Sequence, residues 1–131
     1  MPFGKIAQTW PSNKAKILRK IAVTSKLFFI DNWQKQGFMG NTLYKWKPRK
    51  SGGERPILVL TGRLKASLKT TRVTGDQIKV VTNVFYAGLH NYGGVNSSGR
   101  NVPQRKFMGK SSVLNGVIEN EIRGMLKMFI R

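Results

Sequence analysis

A chain of 131 residues fits one domain, since compact domains most often run to about 100–150 residues, and 40% hydrophobic content spread along its whole length supports a single core spanning residues 1–131. It carries 24 Lys and Arg against five Asp and Glu, so the net charge of +19 must be offset by the core, by counterions or by an acidic partner, with acidic protein ranked first, nucleic acid second and a membrane surface last. The absence of Cys excludes a disulfide framework, a thiolate nucleophile and thiolate metal sites. The start MPFGKIAQTWPSNK has no apolar leader, and no run is long enough to span a bilayer, which together predict a protein of a reducing cytoplasm.

Pro11 and Ser12 precede a stretch from Asn13 to Gln36 with helical periodicity, Ser12 serving as the cap. At 100° per residue, Ile17, Leu18, Ile21, Ala22, Phe28, Phe29 and Trp33 share one side, while Lys16, Arg19, Lys20 and Lys26 share the other as a solvated face or a binding face. Gly37 supplies the stop. From Phe38 to Glu54 the periodicity fails, and Pro48, Ser51, Gly52 and Gly53 predict a loop. Within it Tyr44 and Trp46 alternate with Lys45, Lys47, Arg49 and Lys50, a pattern that can stack bases and hold phosphates. The alternative is that Trp46 packs on the core and the basic tip is only solvated.

RPILVL, residues 55–60, reads as extended and leads to Thr61, a cap for a short helix in which Leu64 and Leu68 share a face. Gln77 to Phe85 alternates as a strand, and Lys69 to Val73, joined to it through Thr74, Gly75 and Asp76, should pair with it as an antiparallel hairpin. Tyr86 continues the apolar face past the strand end, and Tyr86, His90 and Tyr92 should place their rings along an extended strand end. Asn91 to Gln104, rich in Gly, Ser and Asn, is a long loop or a weaker second hairpin. Ser111 to Ile130 is a last helix, capped by Ser111 or Ser112, whose Leu114, Ile118, Ile122, Met125 and Phe129 form a stripe that needs a partner. The expected fold is α+β: a long N-terminal helix and a C-terminal helix packed on a small antiparallel sheet, with a short middle helix.

Catalytic chemistry finds few supports. Asp31, Glu54, Asp76, Glu119 and Glu121 are scattered, and Glu119 and Glu121 diverge by about 200° on their helix, which argues against a metal-dependent nuclease. His90 is the sole histidine and has no evident carboxylate to orient it, so packing or an interface outranks a triad. Gly94–Asn101 has Arg and Asn where the phosphate loop requires Lys and Ser or Thr, and the Gly109-Lys110-Ser111 stretch has Gln104 where its first Gly should stand. No enzyme, cofactor or metal site is expected.

One ordered set stands above this background: TGRLKAS from Thr61 to Ser67, then a hairpin, then FYAGLHNYGG from Phe85 to Gly94, then PQRKFMG from Pro103 to Gly109 before the last helix. Together these resemble the phage virion morphogenesis family, the tail-completion or head-tail joining proteins related to that of Mu-like phages, in which TGxLxxS, Tyr-Ala-x-x-His-x-x-Gly and Pro-x-Arg-x-Phe-x-Gly recur in this order. The basic Lys45–Lys50 loop and the NSSGRN insertion before Pro103 depart from that pattern. The resemblance implies a non-enzymatic virion protein, made in the bacterial host cytoplasm, that completes or connects the tail at its head-proximal end as an oligomeric ring. Its implied partners are tail-tube or terminator proteins, head-closure or connector proteins, further copies of itself and DNA, with no membrane. On this reading Arg63, Tyr86, His90, Tyr92, Arg105 and Phe107 are interface candidates, Tyr86 and Phe107 having ordinary core as their alternative. Tyr44, Lys45, Trp46, Lys47, Arg49 and Lys50 are candidates for an acidic partner or nucleic acid. A basic nucleic-acid-binding protein without catalytic activity is the competing reading.

Overall fold

A computed structural model describes residues 2–50, 56–58, 62–74 and 77–130, with the side chains of 2–9, 71–74 and 130 left aside. It is α+β, as expected: helix α1 (Pro2–Lys35) packs on helix α4 (Ser112–Ile130) and on small antiparallel ribbons. The ribbons pair β1 (Gly37–Met39) with β2 (Leu43–Lys45), β3 (Lys69–Thr74) with β4 (Gln77–Val81), and β5 (Gly94–Val95) with β6 (Asn101–Val102). Two short helices, α2 (Arg63–Ala66) and α3 (Ala87–Tyr92), complete the described elements. The expected small sheet is thus three separate two-stranded ribbons.

The α1 stripe behaves as its periodicity requires. Ile17, Ala22, Phe29 and Trp33 are buried, while Lys16, Arg19 and Lys20 face solvent. The helix is longer than expected, however, and passes through Pro11 to begin at Pro2. Proline already has a helical φ, so the chain gives up one backbone hydrogen bond there and continues instead of starting afresh. Helix α4 begins where expected, with the Ser111 hydroxyl accepting the Leu114 N–H at 3.1 Å. Its Leu114 is buried and Ile118 packs against the core. The Thr24 hydroxyl ties the two helices by donating to Glu121 Oε1 at 2.6 Å, a bond shared with Oε2.

Several local expectations change. The end of α1 is set by Gln36, which takes a left-handed conformation (φ 52°), and Gly37 is needed for another reason: a Cβ there would lie 2.7 Å from the Tyr44 carbonyl oxygen across the ribbon. The predicted loop from Phe38 therefore opens with the β1–β2 hairpin, in which Phe38 faces Tyr44. Where RPILVL was read as extended, Ile57 and Leu58 form a turn with Leu58 at φ 61°; the Gln36 side-chain oxygen accepts the Ile57 N–H at 2.6 Å and its amide donates to the Ile57 carbonyl. Thr61, the expected cap, lies outside the described residues, and the position before α2 is Gly62 with φ 76°. Leu64 and Leu68 are both buried, as their spacing predicted.

The β3–β4 pairing follows the predicted hairpin, with Lys69 opposite Val81 and a register shift between Arg72 and Thr74. Strand β4 stops at Val81, four residues short of Phe85, because the Thr82 hydroxyl turns the chain by accepting the Val84 N–H at 3.2 Å. Phe85 then emerges into solvent at 89% exposure. The aromatic stretch after it, read as an extended continuation, is helical from Ala87 to Tyr92. The β5–β6 ribbon realises the weaker second hairpin.

Candidate interaction site

The PQRKFMG segment has no regular secondary structure, so its backbone groups must be satisfied by side chains. Two buried asparagines supply much of this. Asn91, at the end of α3, accepts the N–H groups of Phe107 at 2.8 Å and Met108 at 3.1 Å on its Oδ1, and its amide donates to the Met108 carbonyl at 3.1 Å. Asn32 of α1, fully buried, donates to the Phe107 carbonyl at 2.9 Å while accepting the Met39 N–H at 3.1 Å. The Arg105 N–H reaches the His90 carbonyl at 2.7 Å, and the Gln104 amide donates to the Asn91 carbonyl. The last two motifs of the ordered set are thereby bonded to each other and to α1.

This geometry places each candidate side chain. Phe107 is 1% exposed and lies 5.1 Å from the Trp33 ring, so it is core in this chain. Trp46 is also buried: its ring meets Trp33 edge-on at 5.7 Å and its indole N–H donates to the Lys106 carbonyl at 2.7 Å, which leaves no face for a base. Arg105 is buried and donates from Nε to the Lys47 carbonyl at 2.9 Å and from Nη2 to the Pro48 carbonyl at 3.3 Å, fastening the basic loop to the core. Burial, followed by the charge of Arg49, lowers its pKa from the ordinary arginine value.

Tyr86, His90 and Tyr92 do not form the extended row that was expected. The Phe85 and Tyr86 rings meet edge-on at 5.3 Å, and Tyr86 meets the His90 ring edge-on at 5.8 Å. Phe85, Tyr92 and Val95 stand exposed on the same short stretch, and Phe85 escaped the candidate set because it was counted as the end of a strand. His90 is the one described residue with a buried side-chain polar atom, Nδ1, lacking a hydrogen-bond partner. Burial, reinforced by the Arg105 charge, lowers its pKa and favours the neutral ring. Arg63 is exposed on α2, apart from this knot in sequence.

Of the basic candidates, Tyr44 and Lys45 line an open groove of about 400 Å³ together with Lys106 and Lys110, while Lys47 and Lys50 are exposed beyond it and Arg49 is half-buried. Lys106 and Lys110 belong to the PQRKFMG segment and its sequel, far from the basic loop in sequence. Only the fold brings them together. Asn32 and Asn91 were missed too, and the sole signal was their position, one on the apolar side of a helix and one inside a motif.

Among the described residues no group of three or more His, Cys, Asp and Glu could hold a metal ion, and no helix is long and apolar enough to cross a membrane. An uncharacterized protein of Methanocaldococcus jannaschii is 34% identical to the chain over 91 residues, covering 60% of this chain and 64% of that protein. The chain thus matches just under two thirds of that relative's length. No solved structure matches. A model of the phage virion morphogenesis family matches residues 3–127, taking in α1, the knotted motifs and most of α4, and on that match the chain belongs to the phage virion morphogenesis family.

Proposed function

We infer that the protein is a structural subunit of the head-tail joint, one that completes or connects the tail at its head-proximal end as an oligomeric ring. Family membership gives the coarser statement, a structural role in phage virion morphogenesis. The observation that carries the finer one is the pairing of a rigid interior with an apolar exterior on the stretch from Phe85 to Arg105. Asn91 and Arg105 lock that stretch inward, while Phe85, Tyr92 and Val95 point their apolar surface outward. Large exposed aromatic side chains on a rigid support are the usual anchors of protein interfaces. A subunit with only five acidic residues would join its neighbours mainly through apolar contact and hydrogen bonds, in a head-to-tail interface that closes into a ring. Tail-tube or terminator proteins on one side and head-closure or connector proteins on the other are the proposed neighbours.

Complementation tests this reading. A phage lacking the chain is supplied with Phe85→Ala or Tyr92→Ala protein; soluble, folded variants that fail to restore infectious particles support it, and full restoration by the double variant contradicts it.

The reading of a nucleic-acid-binding protein without catalytic activity is favoured by one specific observation, the convergence of Tyr44 with Lys45, Lys106 and Lys110 on a single groove.

A further inference from the structure

The groove lies between the β1–β2 hairpin and the segment that follows Arg105, and it has the features of a built site. Tyr44 projects from β2 and is 56% exposed. Beneath it is Gly40, where a Cβ would lie 3.2 Å from the Tyr44 ring and 3.3 Å from the Phe38 ring, so glycine lets both rings sit close against the backbone. Lys106 is held in place as well. Its ammonium lies 4.8 Å from the centre of the Phe38 ring, and its side chain runs along Gly109, where a Cβ would overlap the Lys106 Cε. Lys45 and Lys110 add two more positive charges, and no carboxylate lines the groove among the described residues.

We propose that this groove binds a short stretch of single-stranded nucleic acid, with a base stacked on Tyr44 and phosphates held by Lys45, Lys106 and Lys110. Three lysines and an open aromatic ring are the combination that binds single strands without reading sequence. The volume of about 400 Å³ lies at the low end of ligand clefts, which hold roughly 300–1,000 Å³, and suits a nucleotide unit or two where a duplex would not enter. An acidic polypeptide would satisfy the lysines but would leave the Tyr44 ring without a flat partner. The inference rests on the nucleic-acid reading for its class of ligand and is independent of the joint assignment, which its failure would leave standing.

Fluorescence anisotropy on the purified protein tests it, with a labelled thymidine decanucleotide, the corresponding duplex and a decaglutamate peptide as probes across a salt series. The strand should bind more tightly than the duplex or the peptide. Tyr44→Ala should weaken strand binding about tenfold. Lys106→Gln and Lys110→Gln should each flatten the dependence of log affinity on log salt by about 0.7. Gly109→Ala, which displaces Lys106 while leaving its charge on the protein, should weaken binding in a chain whose circular dichroism is unchanged. Lys16→Gln and Lys20→Gln, exposed on α1 about 20–30 Å along the helix from its C-terminal end, should leave it as it was. Strand binding indifferent to Tyr44, an equal loss from the α1 lysines, or no strand binding would overturn the proposal. So would peptide binding as tight as strand binding, which would give the groove to an acidic polypeptide.

Discussion

The side-chain oxygen of Asn91 accepts the backbone N–H of Phe107 at 2.8 Å, and through that bond α3 holds an irregular segment against the α1 core. The same oxygen accepts Met108 N–H and the same amide donates to the Met108 carbonyl, so one buried side chain satisfies three backbone groups. Asn91→Ala should therefore destabilise the protein by roughly 2–4 kcal/mol, since an unsatisfied buried group costs about 1–3 kcal/mol. Urea denaturation measures this; a loss below about 1 kcal/mol would mean that water or a rearranged segment replaces the side chain.

Phe107 and Phe85 form a contrasting pair, one 1% exposed and the other 89%. Phe107→Ala should cost about 3–5 kcal/mol by opening a cavity beside Trp33, whereas Phe85→Ala should stay within about 0.5 kcal/mol of the parent. Denaturant midpoints of the two variants decide it, and a comparable loss from both would show that Phe85 packs within the chain's own core.

Much of this architecture was legible in the sequence because it rests on periodicity. The α1 stripe from Ile17 to Trp33, the β3–β4 pairing and a serine cap at Ser111 or Ser112 follow from spacing and local chemistry alone, and the structure selects Ser111. The β1–β2 hairpin was not legible: its strands are three residues each, too short to show alternation, and it depends on the close approach that Gly37 permits. The helical form of Ala87–Tyr92 was hidden because β-branched and aromatic neighbours ahead of it read as a continuing strand. At the site, the Lys45–Lys50 cluster was visible, and of the two readings of Trp46 the core one holds, because an indole beside Trp33 gains both burial and a hydrogen bond to Lys106. Lys106 and Lys110 could be joined to Tyr44 only by tertiary structure.

Gly37→Ala tests the close approach directly. The added carbon would meet the Tyr44 carbonyl oxygen at 2.7 Å and the Lys45 Cα at 2.9 Å, both backbone atoms with little room to move. A loss of about 1–3 kcal/mol in denaturant is expected, with faster amide exchange in residues 37–45. A neutral effect would show that the ribbon opens without penalty.

His90 links stability to pH. Its folded pKa lies below the ordinary imidazole value of 6.5 because burial, with the Arg105 charge, disfavours the protonated ring. The unfolded chain then binds the proton more readily, so this contribution is complete above pH 6.5 and is lost as pH falls from there through the lowered folded value. Denaturation midpoints should drop across that window in the parent and drop less in His90→Gln, and the imidazole proton resonances should titrate below 6.5. Titration above 6.5 would contradict the burial of this ring.

Electron microscopy of particles made by a phage deleted for this chain bears most directly on the assignment to the joint. Filled heads accumulating beside separate tails, with infectivity restored by the intact chain, is the expected result. Normal, infectious, tailed particles from the deletion would contradict it.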